Sequence, residues 1–200
     1  YMDSINLALS NWRKALSTSR EHKLRVLEGR VLSDIAKYYS IVGNVDTAIV
    51  LINQSIIIQQ EQGEKLNEAY AYKDLGDIYY DIGNYPQAIE CYNAGIRILE
   101  SLDDSHEIAK ASHRLGSTHM SLGNYQLALE QFQRSLSLYE EIGHLQNIGL
   151  LNTSIGQVYE NLSHSPLAVE ENEMNYRKAL EFHEKALSIF RQEDNIPWIG

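Results

Sequence analysis

The chain has 200 residues, 44% of them apolar and 22% charged, with a formal net charge of −10 at pH 7, a composition that excludes a disordered tail. The acidic balance lacks the basic footprint of nucleic-acid binding, and no apolar run reaches the roughly 18–20 residues that span a bilayer. One cysteine, Cys91, leaves no internal disulfide, and the opening residues carry no basic n-region of a secretory signal, so a cytoplasmic setting without membrane insertion is expected.

Near the start, Ala8, Trp12 and Ala15 stand at helical spacing, 40 residues ahead of Ala48, Ile52 and Ser55. Residues 3–22 therefore read as the second helix of a pair whose first helix is missing. From there the chain falls into rows of 40 that begin at Gly29, Ala69, Ala109 and Gly149. Each row carries a small residue (Ala36, Gly76, Gly116, Gly156), then Tyr39, Tyr79, His119 or Tyr159 three residues on. The turn pairs Gly43-Asn44, Gly83-Asn84 and Gly123-Asn124 follow, then Ala48, Ala88 and Ala128, then Ile52, Tyr92 and Phe132. Helical spacing twice per row, split by Gly-Asn, predicts two antiparallel helices, about Ala69–Ile82 and Tyr85–Ser101 in the second row. The small residues predict close crossings against the rings. His119 and His183 fall in ring columns and read as packing residues.

The fourth row departs from the pattern. After Tyr159 a 12-residue insertion, 163–174, precedes the resumed register at Asn175-Tyr176, Ala179, His183 and Ala186. Ser165-Pro166 is a helix start signal, with Glu170 and Glu171 near the favourable end of the dipole. The expectation is a lengthened second helix from about Pro166 to Arg191; an acidic loop is the alternative. Residues 194–200 open a further row, so the chain reads as a piece of a longer superhelix, or else as a domain whose ends pair with a second copy.

No catalytic or metal constellation emerges. The His-Glu sequence at His183 lacks the second histidine of a zinc helix, no cysteine pair exists, and every Gly-Asn sits at an inter-helix turn instead of a phosphate loop. Cys91 reads as a small packing residue. No enzyme, cofactor or metal is expected.

The stretches from Leu75 to Gly95 and from Leu115 to Ser135 match the pattern of small residue, aromatic, Ala and aromatic that marks the tetratricopeptide repeat (TPR). The chain resembles that family, in the elongated variety with a 40-residue repeat. The resemblance implies an all-α right-handed superhelical solenoid of antiparallel helix pairs, with one domain over 1–200. Its parts would be a truncated repeat at 3–28, repeats at 29–68, 69–108 and 109–148, and a fourth at 149–200 holding the insertion.

In such solenoids the first helix of each pair lines the inner groove. By resemblance, the partner-binding residues are Arg30 and Lys37, then Tyr70, Lys73, Asp77 and Tyr80, then Lys110, His113 and Arg114, then Gln157. Bases early in the helices and acids later would form adjacent stripes. The ninth positions, Lys37, Asp77, Ser117 and Gln157, lack the Asn with which some TPR domains hold a C-terminal carboxylate, so that specificity is not carried over. The implied function is non-catalytic capture of a peptide or protein segment, or of another part of the same chain. The alternative is a ligand-sensing or regulatory region of a larger signalling protein such as a cyclase, kinase or transcriptional regulator.

Overall fold

A computed structural model describes residues 2–164 and 169–194, with side chains over 7–164 and 169–192. The described residues form helices only: α1 (Met2–Glu21), α2 (Arg25–Ile41), α3 (Val45–Gln62), α4 (Lys65–Asp81), α5 (Tyr85–Glu100), α6 (Ser105–Ser121), α7 (Tyr125–Ile142), α8 (Leu145–Ser163) and α9 (Val169–Asp194). They belong to two compact units, Tyr1–Asp103 and Asp104–Gly200. The all-α helical-repeat solenoid class is as the sequence implied.

In the first unit α2 pairs with α3 and α4 with α5, and α3 packs on α4. The shared core holds Ala36, Ala48, Ile52, Ile56, Ala71, Leu75, Ile78 and Cys91, all buried. The helix α1 lies on α2 through Leu9, Val31 and Ile35, with Trp12 beside them. Arg20 adds a polar tie, its Nε donating to Glu28 Oε1 at 2.9 Å, while Arg25 reaches Glu28 Oε2 at 2.6 Å. Burial works to raise the Glu28 pKa, but the two guanidinium groups outweigh it and hold it below the ordinary value.

In the second unit α6 pairs with α7 and α8 with α9, and α7 packs on α8. Its core gathers Ala109, Ala128, Leu129, Phe132, Tyr139, Leu151, Ile155 and Val158. The small residues do what their columns required. A Cβ added to Gly76 would lie 2.7 Å from the Tyr92 ring, one on Gly116 2.7 Å from the Phe132 ring, and one on Gly156 2.7 Å from His183. His183 thus fills a ring column.

Two sets of left-handed residues punctuate the repeats as far as Gly143. Gly43, Gly83 and Gly123 turn the first helix into the second at φ 80°, 75° and 75°. A second set, again 40 apart, ends the second helices: Lys23, Gly63, Asp103 and Gly143, with φ of 56°, 71°, 52° and 76°. This second turn moves a boundary. The helix expected from Ala69 begins at Lys65, because Gly63 ends α3 and Glu64 is already the N-cap. Buried Glu68 then accepts from Lys65 Nζ at 2.9 Å and from Gln60 Nε2 at 2.9 Å. Of the insertion, residues 169–174 are helical, within α9. The start signal at Ser165-Pro166 lies outside the described residues.

Candidate functional site

In the first unit the two first helices, α2 and α4, meet directly. Positions 40 apart in sequence come to face each other there. A cavity of about 220 Å³ is lined by Arg30, Ser33, Asp34 and Lys37 of α2, by Asn67, Tyr70 and Asp74 of α4, and by Gln59 of α3. Further along the same two helices a cavity of about 160 Å³ is lined by Lys37, Ser40, Ile41, Asp74, Asp77, Ile78 and Asp81. A third, about 180 Å³ and walled by Ala8, Trp12, Tyr38 and Ile41 with Asp34 and Lys37, opens between α1 and α2.

Lys37 touches all three cavities. Its Nζ lies 3.2 Å from Asp34 Oδ1 and 3.3 Å from Asp74 Oδ2. Burial alone would lower its pKa, but the Asp74 and Asp34 carboxylates outweigh that and raise it. Lys73 turns to the same network, 3.4 Å from Asp74 and 4.0 Å from Asp77. Asp77 also accepts the Tyr92 hydroxyl at 2.6 Å. The expected separation into a basic and an acidic stripe therefore does not hold in this unit. Acids and bases alternate in one chain of contacts that runs from Asp34 to Tyr92.

Of the expected site residues, Arg30, Lys37 and Tyr70 line the larger cavity, and Lys37 and Asp77 line the second. Lys73 is bound to the aspartates beside them. Tyr80 rests its ring 5.5 Å from Tyr85. Sequence reasoning missed Gln59 and Asn67. Asn67 precedes the row start that was assumed, and Gln59 belongs to a second helix. The signal for Gln59 was present: a polar residue in the column of Leu99 and Tyr139.

In the second unit α6 and α8 also meet. His113 approaches Ser154 Oγ with Nε2 at 3.2 Å and stands edge-on to Phe132 at 5.5 Å. Burial, helped by the Arg114 charge, lowers the His113 pKa, so the ring is neutral at pH 7 and adds no charge to this face. Lys110 is held by Glu107 at 2.7 Å, and Gln157 donates to Glu160 at 3.1 Å. Arg114 is exposed on the same helix. Among the described residues no group of three metal-ligating side chains converges, and no helix is long and apolar enough to cross a membrane. Burial pushes the Cys91 thiol up to about 11, which suits packing and not nucleophilic attack.

Models of the tetratricopeptide repeat match residues 27–101 and 109–142. No curated protein sequence matches the chain. Among solved structures it is similar to BtubC from P. vanneervenii, with a TM-score of 0.82 and 18% identity over 96% of this chain and 75% of that one. It is similar to aspartyl phosphate phosphatase F from Bacillus subtilis at 0.80 and 16% identity, over 98% of this chain and 50% of that one. It also resembles a Rap protein complexed with competence and sporulation factor, at 0.71 and 16% identity, over 94% of this chain and 59% of that one. Likeness at such identities is likeness of fold.

Proposed function

We propose that this chain, which belongs to the tetratricopeptide-repeat family, is a non-catalytic interaction module that holds a peptide or protein segment against its first helices. The observation that carries the reading is the pair of adjoining cavities between α2 and α4, about 220 and 160 Å³, lined by charged, aromatic and aliphatic side chains. Concave sites with a few convergent polar groups are where ligands settle, and mixed charge beside Tyr70 and Ile41 suits an extended segment. Taken by itself, the second unit presents His113, Arg114 and Gln157 on its own first helices. A Rap protein of similar fold is complexed with competence and sporulation factor, which is in keeping with such a role.

Selection of displayed random peptides against the chain tests the reading. Peptides should be recovered, and Arg30→Ala with Tyr70→Ala should weaken them about tenfold or more, the scale of losing two interface anchors. Recovered peptides indifferent to both changes would place the binding surface elsewhere. A second reading, a sensing region within a larger signalling protein, is favoured by coverage, since the chain spans half of aspartyl phosphate phosphatase F and 59% of the Rap protein. An effector domain in the same reading frame would support it.

A further inference from the structure

Gln59 stands in the column that the next two rows fill with Leu99 and Tyr139, both buried. Its side chain is also buried, with 0% exposure. Nε2 donates to the Val26 carbonyl at 3.3 Å, and Oε1 accepts no hydrogen bond from the protein. The place is shaped for an amide. A Cβ on Gly29 would collide with it, 3.0 Å from its Cδ, and the following rows carry Ala69 and Ala109 at that point, opposite Leu99 and Tyr139. A buried acceptor without a donor is unfavourable. Leucine would avoid that cost, as it does at position 99.

The same Gln59 lines the cavity of about 220 Å³ between α2 and α4. The charges around it balance: Arg30 and Lys37 against Asp34 and Asp74. Lys37 is already shared between the two carboxylates. An entering cation would have to displace Lys37 and would meet Arg30, while an anion would face Asp34 and Asp74. Either would lose hydration with no net charge to compensate it. One buried acceptor and one exposed donor belong to residues that line this cavity. Gln59 Oε1 lacks a donor, and the exposed Arg30 guanidinium is available to donate. A carboxamide carries both on one neutral planar group.

We propose that this cavity is a subsite for a primary carboxamide, the side chain of a glutamine or asparagine in a bound segment. Its amino group donates to Gln59 Oε1, which a rotation of the buried amide turns towards it, and its carbonyl accepts from Arg30. The inference rests on the groove reading above and names the chemistry that reading leaves open.

The test is an NMR titration of the ¹⁵N-labelled chain with N-acetyl-glutamine N-methylamide. The Gln59 side-chain amide signals and the backbone amides of 26–37 and 67–74 should move saturably. The N-methylamides of N-acetyl-methionine and N-acetyl-glutamate should bind about tenfold more weakly, the scale of one unmade buried hydrogen bond. Gln59→Leu, a change to the residue used at position 99, should abolish the glutamine preference with circular dichroism unchanged. Arg30→Ala, at an exposed position, should weaken the glutamine probe about threefold or more without touching the core. Equal response to all three probes, stronger binding of the glutamate probe, or undiminished preference in Gln59→Leu would each overturn the subsite. Its failure is separable from failure of the groove. Display-selected peptides that shift α2 and α4 signals with no preference for Gln or Asn sink the subsite alone. Selected peptides that shift nothing on those helices sink the groove.

Discussion

Glycine at a helix crossing is the residue-scale device on which the repeat turns. Gly116→Ala would set a methyl 2.7 Å from the Phe132 ring, which is itself fully buried. The ring cannot retreat without pushing the Ala128 and Leu129 core, so overpacking should cost about 1–3 kcal/mol, read as a lower urea midpoint at unchanged slope. The turns allow a gain instead. Lys23 holds φ at 56° where Gly63 and Gly143 stand in later repeats. Left-handed backbone costs a side chain about 1–2 kcal/mol, and glycine gives back part of that through its greater unfolded freedom. Lys23→Gly should therefore stabilise by about 0.5–1 kcal/mol in chemical denaturation, and a loss of stability would show that the lysine side chain contributes elsewhere. These columns were legible in the sequence because a crossing or turn demands one small residue at one place. The partners of Lys37 and the orphaned oxygen of Gln59 were not legible, because they depend on which rotamer a long side chain adopts against a different helix.

Between elements, the second unit carries a titratable contact. His113 of α6 faces Ser154 of α8, and burial, with a further contribution from Arg114, holds its pKa below the ordinary 6.5. Burial lowers His119 as well, partly opposed by Glu130. The unfolded chain takes up these protons first as pH falls. The stability due to the neutral rings is thus complete above about pH 6.5 and is lost as pH falls towards and through the lowered values. Urea midpoints should be level from pH 7 to 8 and decline from 6.5 to 5, with a shallower decline in His113→Gln; an equal decline in that variant would assign the effect to other groups. The insertion belongs to this scale too. Ala179 follows Ala128 by 51 residues, 11 more than the repeat, and α8 runs on to Ser163. Removing 164–174 should restore the register, one residue fewer than the 163–174 read from the sequence. Within it Val169, Glu170, Glu171, Glu173 and Met174 are exposed, so the shortened chain should keep a single cooperative thermal transition. Loss of that transition would mean the segment supports the core.

At the scale of the whole molecule, a 40-residue period made the helical-repeat class readable from the amino-acid sequence, since stacked pairs are how such a period buries its apolar faces. The family resemblance implied which helix of each pair to examine, and α2 and α4 do meet with Arg30, Lys37 and Tyr70 on one cavity. It could not indicate charge balance, because Lys37 of one row is shared with Asp74 of the next. The central claim is that a bound segment lies on these first helices. Hydrogen–deuterium exchange with a display-selected peptide measures this directly. Protection should appear in residues 25–41 and 65–81 and should be absent from 45–62 and 85–100. Protection confined to the second helices, or none in α2 and α4 at saturating peptide, would contradict the account.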